Sequence, residues 1–79
     1  MNEIMTVPFA VEALQAQACR GEITTTEARK FLAAFGGIRH TSRSGVELWL
    51  FVGQLWDVEV LTSDRNPEQC ILWRAMVPD

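Results

Sequence analysis

Histidine occurs once in this 79-residue chain, cysteine twice and tyrosine not at all. A closed zinc site takes four Cys or His ligands, so the three such residues present exclude one. His40 lies far in sequence from both Cys19 and Cys70, and a nucleophile paired with its base has no visible support. Two cysteines allow a single bridge, and in a reducing compartment both are expected as free thiols acting as small core hydrophobes. A phosphate-cradling loop is also missing, because Gly36-Gly37 follows a helical pattern instead of preceding one. The longest mainly apolar run, Val46 to Leu61, is interrupted by Glu47, Gly53, Gln54, Asp57 and Glu59, whereas a membrane span needs about 20 mostly apolar residues. No basic stretch leads into an apolar run near Met1, so a secretory signal is not expected and a cytoplasmic location is.

What remains is hydrophobic enough to fold. The composition is 48% hydrophobic and 22% charged, with three Trp and four Phe, residues that are scarce in disordered chains. The length suits one domain spanning 1–79. A chain of this size buries only about 60 to 65% of the surface its unfolded form exposes. An internal cavity is therefore hard to accommodate, and neither an enzyme, a cofactor nor a small-molecule substrate is expected.

Charge is unevenly spread. Residues 1–28 carry −3, residues 29–46 carry +4 through Arg29, Lys30, Arg39 and Arg43 with no acid, and residues 47–79 carry −4, which together give the net −3. A basic middle between acidic ends can show a positive patch on a negative molecule.

The pattern of residues predicts α+β architecture: an N-terminal helical hairpin packed on a small antiparallel sheet of three to four strands. Thr6 and Pro8 open a first helix running to about Arg20, with Val7, Ala10, Leu14 and Ala18 on one face and Gly21 as its left-handed cap. Thr24-Thr25-Thr26-Glu27 is a capping box, with Ile23 and Ala28 at staple positions. Ala28, Phe31, Leu32 and Phe35 then share a face until Gly36-Gly37 ends the second helix. Three strands follow: Ile38 to Thr41, Val46 to Val52 and Leu55 to Leu61, with a turn at Ser42 to Gly45. Asn66-Pro67 could open a helix, yet Cys70-Ile71-Leu72-Trp73 suits a strand, and a fourth strand is preferred. The expected core is Leu14, Phe31, Leu32, Phe35, Leu48, Leu50, Trp56 and Val58.

Register in the main hairpin decides the surface. A two-residue Gly53-Gln54 loop would put Trp49, Phe51, Trp56, Val58 and Val60 on one face, and Leu48 and Leu50 beside Asp57 and Glu59 on the other. A three-residue loop including Leu55 would instead make the purely apolar face Val46, Leu48, Leu50, Val52, Trp56, Val58 and Val60. That face is preferred, which leaves Glu47, Trp49, Phe51, Asp57 and Glu59 together on the opposite side as the candidate partner-binding surface.

Two binding functions are compatible with these features. A small acidic protein with exposed aromatics can occupy the surface of a partner protein as an inhibitor or adaptor, in particular one that handles nucleic acid. That physical profile resembles small phage-encoded inhibitors such as anti-CRISPR proteins, although no motif carries the resemblance. A second copy of the chain is a further candidate partner, and a membrane is not. The alternative is a small DNA-binding regulator that places Arg29, Lys30, Arg39 and Arg43 on phosphates; an isoelectric point near 5.0 argues against it.

Overall fold

The computed structural model describes residues 3–76, with side chains from Val7 onward. Helices α1 (Glu3–Cys19) and α2 (Thr25–Ala34) precede strands β1 (Ile38–Thr41), β2 (Glu47–Leu50), β3 (Trp56–Thr62) and β4 (Cys70–Met76). The four strands form one antiparallel sheet in the order β1-β2-β3-β4. Both helices lie on the same face of it, giving the expected α+β fold with four strands.

Local signals account for the helix ends. α1 starts earlier than Pro8, which lies inside the helix and forgoes one N–H of the ladder near its N-terminus. At its other end the Glu22 N–H donates to the Gln17 carbonyl at 2.9 Å and the Gly21 N–H to that of Ala18 at 3.0 Å. This closure needs a left-handed residue, and Gly21 supplies it at φ 70°. The capping box of α2 forms as read from the sequence: the Glu27 N–H donates to the Thr24 hydroxyl at 3.1 Å and the Thr24 N–H to the Glu27 carboxylate at 2.9 Å. After α2 the chain turns through Gly37, where a Cβ would come within 2.7 Å of the Leu32 carbonyl oxygen and 2.9 Å of the Phe51 ring. Only glycine allows that approach.

The core lies between the helices and one face of the sheet. It consists of Val11, Leu14, Ala18, Ala28, Leu32, Trp49, Phe51, Val58, Val60, Cys70 and Leu72, with Val7, Ile23, Phe35 and Trp56 packed around it. Of the expected core, Leu14, Leu32 and Val58 are buried, and Phe35 and Trp56 are partly so. Phe31 and Leu50 are exposed and Leu48 only half-buried. α2 turns Thr25, Ala28 and Leu32 inward, so Phe31 falls at the rim beside Phe35, their ring centroids 6.2 Å apart. Cys70 is buried but Cys19 is exposed, beyond the Val11–Leu14–Ala18 stripe. Both thiols are free.

The register differs from the preferred one. Trp49 pairs with Val58 and Leu50 with Asp57, which is the alignment of the two-residue loop, with pairing opened at the tip. Paired residues share a face, so Glu47, Trp49 and Phe51 lie with Trp56, Val58 and Val60 against the helices. Leu48, Leu50, Asp57 and Glu59 lie on the outer face. Aromatic volume is the physical reason. Trp and Phe bury about 150 to 250 Å² each, so turning Trp49 and Phe51 inward removes more apolar surface from water than turning Leu48 and Leu50 inward. The single carboxylate this brings along is neutralised locally.

Candidate protein-binding surface

Glu47 shows how a carboxylate is held on the core face. Its side chain is only 11% exposed. The Arg29 guanidinium forks onto it from α2, Nε donating to Oε2 at 3.0 Å and Nη2 to Oε1 at 2.8 Å. The Trp49 indole N–H donates to Oε2 at 2.9 Å, and Arg39 on β1 reaches Oε1 at 3.4 Å. Burial alone would push the Glu47 carboxyl up, but the bonds from Arg29 and Trp49, with the charges of Arg29 and Arg39, outweigh it and hold the group below its ordinary value. Arg29 is raised in turn, first by its hydrogen bond to Glu47.

This arrangement divides both sets of residues singled out in the sequence. Of the expected partner-binding group, Glu47, Trp49 and Phe51 face inward, the two rings 6% exposed each, while Asp57 and Glu59 face outward on β3. The expectation that all five share one exposed face is thus corrected. Of the four cations proposed for phosphate contact, Arg29 and Arg39 are engaged by Glu47. Lys30 and Arg43 are exposed.

The outer face of the sheet is the surface of the register that the sequence made the alternative, with Leu48 and Leu50 beside Asp57 and Glu59. Cross-strand register sets its rows: His40, Leu48, Glu59 and Trp73 across the four strands, then Ile38, Leu50, Asp57 and Ala75, and Leu61 beside Ile71. Trp73 is 60% exposed, Ile38 and Ile71 57% each, Leu61 44% and Leu50 37%. Among the described residues no helix covers them. Comparison of the chain with protein-family models, curated proteins and solved structures gave no match.

Other features offer less. A shallow depression of about 430 Å³ lies between the Gly21–Thr24 turn and the Asn66–Gln69 loop, open to solvent and lined by Glu22 and Glu68. Burial pushes the Cys70 thiol up, away from reactive thiolate character, against the opposing influence of the neighbouring Thr25 hydroxyl. Among the described residues no cluster of three or more His, Cys, Asp or Glu is placed to hold a metal ion, and no helix is long and apolar enough to cross a membrane.

Proposed function

We propose that the protein is a non-enzymatic binding module that engages a partner protein through the outer face of its sheet, in the manner of an inhibitor or adaptor that works by occupying a surface. The observation that carries this reading is the apolar content of that face. Five large apolar side chains stand exposed in adjacent rows on an uncovered sheet. Contiguous apolar surface of this kind marks interaction sites, and tryptophan, here Trp73 on the edge strand β4, is a residue type that concentrates binding energy. Helices already cover the opposite face, so a partner here would supply the missing third layer.

Site-specific photocrosslinking in the cells that make the protein tests the reading. Benzoylphenylalanine in place of Leu50, Ile71 or Trp73 should give one common adduct, heavier than two copies of the chain or distinct from them in composition. The same reagent at Ala13 or Ala33, exposed on the helical side, should not. Equal adducts from both sides, none from the sheet face, or adducts consisting only of two copies would overturn it.

A further inference from the structure

The outer face carries two carboxylates set among apolar side chains, and they are treated unlike the one on the core face. Glu59 lies in register between Leu48 and Trp73, and Asp57 between Leu50 and Ala75; both acids are half-buried. Among the described residues neither takes part in an ion pair, although Glu47, two strand positions from Trp49, receives two arginines. From this, and resting on the docking face proposed above, we infer that Glu59 and Trp73 form an arginine-reading subsite, and that the partner segment docking there carries an arginine flanked by apolar side chains.

The fold shows the two halves of such a subsite separately, an arginine fork on a carboxylate at Glu47 and a guanidinium over an indole at Trp56. At Glu47 the Arg29 fork and the Trp49 indole meet on one carboxylate. At the β4 side Arg74 lies 5.0 Å over the Trp56 ring while its Nη2 is 3.5 Å from the Glu12 carboxylate. Glu59 and Trp73 are direct cross-strand partners, with Cβ atoms about 5 Å apart by sheet geometry. A guanidinium can lie on the exposed indole and fork onto the adjacent carboxylate together, whereas a lysine ammonium offers a compact, strongly hydrated charge with no planar fork. The chain supplies an acid and an aromatic here and no arginine.

Charge also decides against other occupants. Stacking the faces of two copies about a two-fold axis along the strands sets Glu59 against Leu48, and an axis across the strands sets the β3 acids against each other. Either sets a carboxylate against no arginine or lysine, with His40 the ionisable base of these rows, and burying an unpaired carboxylate is costly. A phosphate backbone and an anionic bilayer are repelled by the same pair of acids.

The test uses the full chain and three capped pentapeptides, acetyl-Ala-Leu-Arg-Leu-Ala-amide and its lysine and citrulline counterparts, titrated while NMR follows the Trp73 indole N–H. The arginine peptide should shift that signal saturably and bind about tenfold tighter than the neutral citrulline peptide and about threefold tighter than the lysine one. Glu59→Gln should bring arginine binding down to the citrulline level. Trp73→Leu should weaken it by about fivefold, read at the Glu59 amide, with Glu22→Gln as an unaffected control. Equal binding of the arginine and citrulline peptides, no saturable binding, or shifts centred on Glu22 and Glu68 would overturn the inference. If the sheet-face crosslink persists alongside such a result, the arginine subsite alone falls. If both are absent, the docking face falls with it.

Discussion

Glu47 is stable on the core face only because donors from three residues converge on it, and removing the charge has a defined pH signature. Its folded-state pKa lies below the ordinary value, so ionisation stabilises the fold above the unfolded pKa of about 4.3, and that contribution is lost as pH falls through the folded value. Glu47→Gln should lower stability at pH 7 by about 1 to 3 kcal/mol, in the range for hydrogen bonds to charged groups, with Arg29 still partly hydrated. The gap from the unaltered chain should shrink at pH 3. Urea unfolding at both pH values measures it, and an unchanging gap would refute the assignment. Two of the three tryptophans separate in the same way. Trp49 is 6% exposed and Trp73 60%, so Trp49→Ala should cost about 3 to 5 kcal/mol as a buried large-to-small change, and Trp73→Ala less than about 1 kcal/mol. Thermal unfolding of both variants decides it; comparable losses would place the sheet face wrongly.

At the scale of elements, the start of α2 is fastened from two directions. The capping box closes it locally, and the β3–β4 loop ties it to the sheet. The fully buried Thr25 hydroxyl donates to the Pro67 carbonyl at 2.7 Å, its N–H donates to the Glu68 carbonyl at 2.9 Å, and the Thr26 hydroxyl donates to the Glu68 carboxylate at 3.0 Å. Thr24→Ala should cost about 0.5 to 2 kcal/mol for the lost cap. Thr25→Val keeps the volume but leaves a part-buried carbonyl without its donor, about 1 to 3 kcal/mol, and a melting temperature unchanged in either variant would refute the corresponding bond. What was legible in the sequence follows the same division. The capping box, the Gly21 cap, the bounds of β1 and the strand character of Cys70 to Trp73 depend on neighbours within a few positions, and all appear as read. The register of β2 on β3 did not, because both faces of that hairpin are apolar and alternation alone does not choose between them. Aromatic volume favours turning Trp49 and Phe51 inward, but the carboxylate this brings along is acceptable only through Arg29, 18 positions before Glu47. No local pattern announces such a pair. The place of Trp73 on the outer face was missed with it, since Trp73 joins Glu59 only once β4 is paired in register.

At the scale of the whole molecule, the basic middle of the sequence does not become a basic patch of the same strength. Arg29 and Arg39 are drawn onto Glu47, and the net charge is −3. Duplex DNA titrated at low salt should therefore show no submicromolar, salt-sensitive binding; such binding would favour the regulator reading over the protein-binding one. The long-range ties carry a further consequence, for synthesis. The Gln15 side chain of α1 donates to the Leu72 carbonyl 57 positions later, and Thr25 to Pro67 42 positions later. A ribosome adding about 5 to 20 residues each second exposes both helices seconds before their partners exist. During that interval the emerging chain holds Val11, Leu14 and Leu32 with nothing to pack on, and α1, with 17 residues, is only marginally helical alone. Folding must wait for β4, so the nascent chain stays open to chaperones and proteases until Leu72 has emerged.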